Sequence, residues 1–117
     1  MKKKKILVCG STGFIGRNVA ESLAKNDDFE VYGTYLKSEP LKNPKIKMVK
    51  ADLTDKDDVD KVIKNMDMVI QAAATTSGAK DIINKPYYHV TDNTVMNALL
   101  FRAAFERKIS HFIFFSC

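Results

Sequence analysis

Short apolar runs alternate with longer amphipathic stretches along the whole chain. Ile6-Leu7-Val8-Cys9 is an unbroken apolar run between a lysine tract and Gly10. A strand with one wet face would alternate, so an unbroken run predicts a strand covered on both faces. From Phe14 to Lys25 the period changes. Ile15, Val19 and Leu23 recur at spacing four, with Ala20 and Ala24 beside them, and predict a helix with that stripe turned inward. Asn26-Asp27-Asp28 ends it. Val31 to Tyr35 and Ile46 to Val49 read as the second and third strands. The stretch Lys37 to Lys45 carries Pro40 and Pro44, which no regular element accommodates, so a loop joins these two strands.

Asp55 to Asn65 predicts a short helix, with Val59, Val62 and Ile63 inward and acids in its first turn, where the helix dipole favours them. Met68-Val69-Ile70 is a fourth strand, and a polar, small-residue loop follows from Ala73 to about Lys85. Thr91 to Arg107 predicts the longest helix and Phe112 to Phe115 a fifth strand. Strands alternating with helices specify an α/β fold with a parallel sheet. Right-handed crossovers make it a doubly wound, Rossmann-type sheet with strand order 3-2-1-4-5, truncated after the fifth strand. The switch point falls between the first and fourth strands. With no repeat and no linker, residues 1–117 read as one nucleotide-binding domain whose substrate domain lies outside the sequence.

Composition narrows the partners. The 117 residues are 45% hydrophobic and 28% charged, ordinary for a soluble globular fold with a real core. No apolar run approaches the ~18 residues that span a bilayer. Lys2 to Lys5 precede an apolar run far too short for a signal peptide, so a cytoplasmic location without a membrane partner is expected. The net charge of +5 comes from 19 basic and 14 acidic residues. Arginine occurs only at Arg17, Arg102 and Arg107, and the lysines beyond the first five positions are scattered. That is a decorated surface and not the Arg-rich, aromatic-interleaved patch of a nucleic-acid binder. Cys9 and Cys117 have neither metal-site nor disulfide spacing, so reduced thiols and no metal are expected.

The sharpest chemical signal is Gly10-Ser11-Thr12-Gly13-Phe14-Ile15-Gly16, directly after a buried strand and opening an amphipathic helix. Gly10 permits the tight turn, Gly13 keeps a Cβ out of the way of a pyrophosphate, and Gly16 permits close helix packing. The helix N-terminus then faces the phosphates with its N–H groups and dipole. No Gly-Lys-Ser/Thr follows, which excludes a P-loop.

Two residues between successive glycines resembles the short-chain dehydrogenase/reductase superfamily, and the Gly-Phe-Ile-Gly ending resembles its extended branch, the NAD-dependent epimerases and dehydratases of nucleotide sugars. Four further stretches match in order: Ala51-Asp52-Leu53, Val69 to Ala74, Asn93 with Asn97 to Leu100, and Phe112 to Ser116. The resemblance implies that Asp52 meets the adenine amine, with Leu53 beside it. It implies that Ala72, Ala73 and Ala74 lie along the nicotinamide side, that Asn93 supports the site, and that Ser116 is the catalytic serine. Asp52 has a plainer reading as a cap for the helix near Asp55, and Asn93 as a solvent-facing helix residue. Within the family, Ala72-Ala73-Ala74, Gly78 and Asn84 look most like the GDP-fucose synthases, which use NADP.

The sequence departs from the family in two places. At the end of the second strand an acid selects NAD, whereas Tyr35-Leu36-Lys37-Ser38 has none. Lys37 and Ser38 suit the 2′-phosphate of NADP, so NADP is favoured over NAD; a solvated loop lysine is the other reading of Lys37. The family's Tyr-x-x-x-Lys pair does not occur, and Tyr87 and Tyr88, expected in the loop, have no lysine four residues on. At the fifth strand's end either Ser116 serves or Cys117 occupies its position. The chain alone is thus expected to bind cofactor without turnover. In the parent enzyme, hydride transfer at a carbon of a nucleotide-sugar substrate is implied, and a homodimer or other homo-oligomer is expected. The alternative is a non-catalytic NAD(P)-binding sensor of the same fold.

Overall fold

The structure is a computed structural model that describes residues 3–37, 39–73 and 87–114, with side chains in the last stretch from residue 94 onward. Its elements are β1 (Lys4–Cys9), α1 (Phe14–Ala24), β2 (Phe29–Tyr35), β3 (Ile46–Lys50), α2 (Lys56–Ile63), β4 (Met68–Gln71), α3 (Tyr87–Glu106) and β5 (His111–Phe114). The five strands form one sheet in the order β3-β2-β1-β4-β5, and every pairing is parallel. This is the order that the sequence predicts.

The unbroken apolar run of β1 is explained by cover on both faces. Leu7 and Cys9 point into a core shared with Val59, Val62 and Ile63 of α2 and Met96, Leu100 and Ala103 of α3. Ile6 and Val8 point the other way, onto Ala20 and Ala24 of α1 and Val31 of β2. All four β1 residues are fully buried. Burial pushes the Cys9 thiol up to about 12, so it is a neutral core side chain. The described part of the β2–β3 connection contains no helix, as its prolines require.

Three details differ from the sequence reading. The most buried stripe of α1 is Gly16, Ala20 and Ala24, with Val19 and Leu23 only partly buried and Ile15 46% exposed. The small residues take the buried face, Gly16 because a Cβ there would lie 2.1 Å from the Gly10 carbonyl oxygen, and the bulkier stripe lies on the flank. Secondly, α3 begins at Tyr87, so Tyr87 and Tyr88 belong to its first turn and not to a loop. Thirdly, β5 begins one residue earlier, at His111. Phe112 and Phe114 share a face, as alternation predicts, and both pack on Phe101 of α3, with centroids 4.6 and 5.7 Å away.

Candidate functional site

A cleft of about 780 Å³ opens above the C-terminal ends of β1, β2 and β4. Here the strand order reverses between β1 and β4, so the loops leaving them diverge and leave a crevice. Gly10, Thr12, Gly13, Phe14 and Ile15 form one wall, Tyr35, Leu36, Lys37, Asp52 and Leu53 the adenine-side wall of the sequence reading, and Ala72 and Ala73 the third side.

The three glycines of the turn act differently. Gly10 has φ +72°, a left-handed conformation, and a Cβ on it would lie 2.5 Å from the Ala73 Cα. A Cβ on Gly16 would lie 2.1 Å from the Gly10 carbonyl oxygen. Both are glycine because the protein leaves no room. Gly13 caps α1 in an extended conformation, φ −76° and ψ 169°, that any residue adopts. A Cβ there would meet only the Gly10 oxygen, at an ordinary 3.6 Å. Among the described residues nothing requires a glycine at this position, which borders the cleft.

The two helices at this end are also finished differently. The Asp55 side chain caps α2 by accepting from the Asp57 amide, and acids follow in the first turn. No side chain caps α1, and its first turn holds no acid. Its positive dipole end therefore borders the cleft with no acid in its own first turn, a suitable seat for a phosphate.

The cap of α2 is Asp55, so Asp52 does not serve that purpose. Its carboxylate accepts instead from the Thr54 hydroxyl at 2.6 Å and the Thr54 amide at 2.9 Å. These hydrogen bonds, with a smaller contribution from the Lys37 charge, hold its carboxyl below the usual range. Asp52 is thus an anion on the cleft wall, with Lys37 near enough to be felt.

Ser11 is not on the wall. It is fully buried, and its hydroxyl donates to the Thr34 carbonyl at 3.0 Å. Its side chain thus contributes to the shape of the turn. Thr12 is half-buried, Phe14 is 86% exposed, and Lys37 is exposed, all bordering the cleft. Ala74, the Asn93 side chain, Ser116 and Cys117 lie outside the described residues, as does Ser38.

Three participants escaped the sequence reading. Met96 of α3 lines the cleft floor. Gln71, fully buried at the end of β4, donates to Asn97 Oδ1 at 3.0 Å and accepts from the Ala73 amide at 2.9 Å, tying the Ala72-Ala73 wall to α3. Gly33 of β2 leaves room for Ser11, since a Cβ there would lie 2.3 Å from the Ser11 Oγ. The polarity of Gln71 in an apolar strand was a readable signal; the other two depend on contacts between distant segments.

A doubly wound parallel sheet, a glycine turn shaped by packing at two positions and open at the third, and an uncapped helix facing the switch-point cleft define a dinucleotide-binding protein of Rossmann type. Residues 6–117 match the NAD dependent epimerase/dehydratase family, and the chain belongs to it. Uronate dehydrogenase from Agrobacterium tumefaciens superposes with a TM-score of 0.79 at 24% identity, over 99% of this chain and 41% of that one. A UDP-glucose 4-epimerase superposes with a TM-score of 0.80 at 25% identity, over 95% and 35%. An uncharacterized membrane protein of Methanocaldococcus jannaschii is 29% identical over 119 residues, which are 96% of this chain and 35% of that protein. The chain thus spans little more than a third of the length of these proteins. Among the described residues, no helix is long and apolar enough to cross a membrane.

Proposed function

We propose that residues 1–117 form the NAD(P)-binding domain of an epimerase, dehydratase or reductase that acts on a nucleotide sugar. Gly13 carries the reading. It is a glycine in an ordinary backbone conformation, at an uncapped helix start, and among the described residues its missing side chain would meet no closer atom than the Gly10 oxygen at 3.6 Å. A ligand passing close to the backbone accounts for it, and a pyrophosphate suits the dipole behind it. The bound nicotinamide would supply hydride transfer at a sugar carbon in the whole protein. Gly10 and Gly16 would hold the turn, Thr12 to Ile15 would border the pyrophosphate, Asp52 and Leu53 the adenine, and Ala72 to Ala74 the nicotinamide side. Ser116 or Cys117 would stand at the reacting carbon.

The cofactor in this reading is NADP in preference to NAD. Tyr35 and Leu36 stand where an acid would receive a ribose 2′-hydroxyl, and exposed Lys37 lies on the same wall. A charge-assisted phosphate contact is worth about 1.5–3 kcal/mol, or one to two decades in affinity. Fluorescence titration of the chain is expected to show NADPH binding that much more tightly than NADH. Equal affinities, or tighter NADH, would remove Lys37 from the account; binding of neither would remove the function itself.

A homo-oligomer joined through α3 and β5 belongs to the same proposal. Phe105 is 86% exposed, and Phe101, Ile113 and Phe114 are each more than 40% exposed on these two elements. Exposed apolar area of this kind favours association. Sedimentation over a concentration series is expected to show reversible self-association, and a monomer throughout would overturn it.

A further inference from the structure

The backbone ladder between β1 and β2 runs from Lys4↔Phe29 to Val8↔Gly33. Two residues later Gly10 turns out of the strand with φ +72°, so ladder geometry no longer holds it. The turn is nevertheless tied to β2, and all three ties converge on Thr34. The Gly10 amide donates to Thr34 Oγ1 at 2.8 Å. The Ser11 amide and the Ser11 hydroxyl both donate to the Thr34 carbonyl, each at 3.0 Å. Thr34 is 1% exposed. Any residue would supply the carbonyl; only a hydroxyl on β2 supplies an acceptor for Gly10.

We propose that Thr34 is a positioning residue for the dinucleotide, its hydroxyl fixing the glycine turn in the geometry that receives the pyrophosphate. The inference rests on the proposed dinucleotide site. Thr34 directly precedes Tyr35, Leu36 and Lys37, which line the other wall of the cleft. One residue therefore joins the pyrophosphate wall to the ribose wall and sets their separation. Pre-organisation of this kind lowers the cost of ordering the site when the ligand arrives. Met48 on β3 and Gly33 make the space in which the arrangement closes: the Ser11 Oγ lies 3.7 Å from the Met48 sulfur, and Gly33 has no side chain to displace it.

Thr34→Val replaces the hydroxyl by a methyl of similar size, and Thr34→Ser restores it. In Thr34→Val the NADPH dissociation constant is expected to rise roughly threefold to tenfold, the worth of one hydrogen bond, and Thr34→Ser is expected to bind like the unsubstituted chain. In the free chain, the Gly10 amide is expected to exchange with solvent faster in Thr34→Val and at the original rate in Thr34→Ser. That measurement reads the turn itself, with no ligand present. Should Thr34→Val fail to fold, Thr34→Ala removes the hydroxyl without adding a methyl and carries the same comparison. Unchanged Gly10 exchange overturns the positioning role. So does faster exchange with undiminished affinity, which would leave Thr34 as a merely structural residue. An unsubstituted chain that binds no dinucleotide sinks the site and this role together, whereas normal binding in both chains sinks the role alone.

Discussion

Gly16→Ala is expected to destabilise the chain by about 1–3 kcal/mol, the usual cost of forcing a methyl into a packed interior. The new Cβ would lie 2.1 Å from the Gly10 carbonyl oxygen and 2.8 Å from the Gly10 carbonyl carbon. Both are backbone atoms, so neither can swing aside as a side-chain tip would. In an exposed helix the same substitution would stabilise by about 1 kcal/mol, because alanine is the better helix former. The sign of the measured change thus reports whether α1 is seated on the turn. Urea unfolding should give a lower midpoint with an unchanged slope. A higher midpoint would mean that helix and turn are farther apart than these distances require. Because the seating also aims the α1 N-terminus, NADPH affinity should fall in the same variant.

Gly13→Val is expected to behave in the opposite way, with the fold retained and NADPH binding lost by about two decades or more, the scale of losing several phosphate contacts at once. Valine adopts the observed φ of −76° and ψ of 169° without strain. Among the described residues its Cβ would meet one protein atom, at 3.6 Å. The stability cost is that of a poorer helix cap, of order 1 kcal/mol. The branched side chain would instead occupy the cleft beside the first turn of α1. Thermal melting and NADPH titration of the one variant separate the two effects. Unaltered affinity would show that no ligand passes over Gly13, and the carrying observation of the functional proposal would be gone. Gly13 and Gly16 stand three residues apart in one motif, yet one variant is expected to lose binding with the fold retained and the other to lose stability first, with affinity falling through the displaced turn.

That difference marks how far the motif was legible. Gly10, Gly13 and Gly16 were readable as a turn from a buried strand into an amphipathic helix, the pattern from which the phosphate site is proposed. Which of them answers to packing and which to a ligand depends on what lies within 3 Å of an imagined side chain. Ser11 shows the same limit. Inside a glycine turn it reads as a ligand contact, but its hydroxyl turns inward to Thr34, 23 residues away in sequence. Ile15 reads as the start of an inward stripe, yet Gly16, Ala20 and Ala24 take the buried face. Helical period gives the spacing of a stripe but not which of two adjacent stripes meets the sheet.

The sequence by itself determined the strands, their order and the position of the cleft. These follow from local pattern and chain connectivity: unbroken apolar runs make doubly covered strands, and right-handed crossovers leave one order and one switch point. Only the tertiary structure decided the directions of side chains at the turn, the role of Gly33 as space for Ser11, and the arrival of Met96 of α3 at the cleft. Each of these joins residues from separate elements. No local pattern encodes such a meeting, because it exists only once β1, β2, β4 and α3 have packed, and the close approach of their backbones then settles which side chains have room.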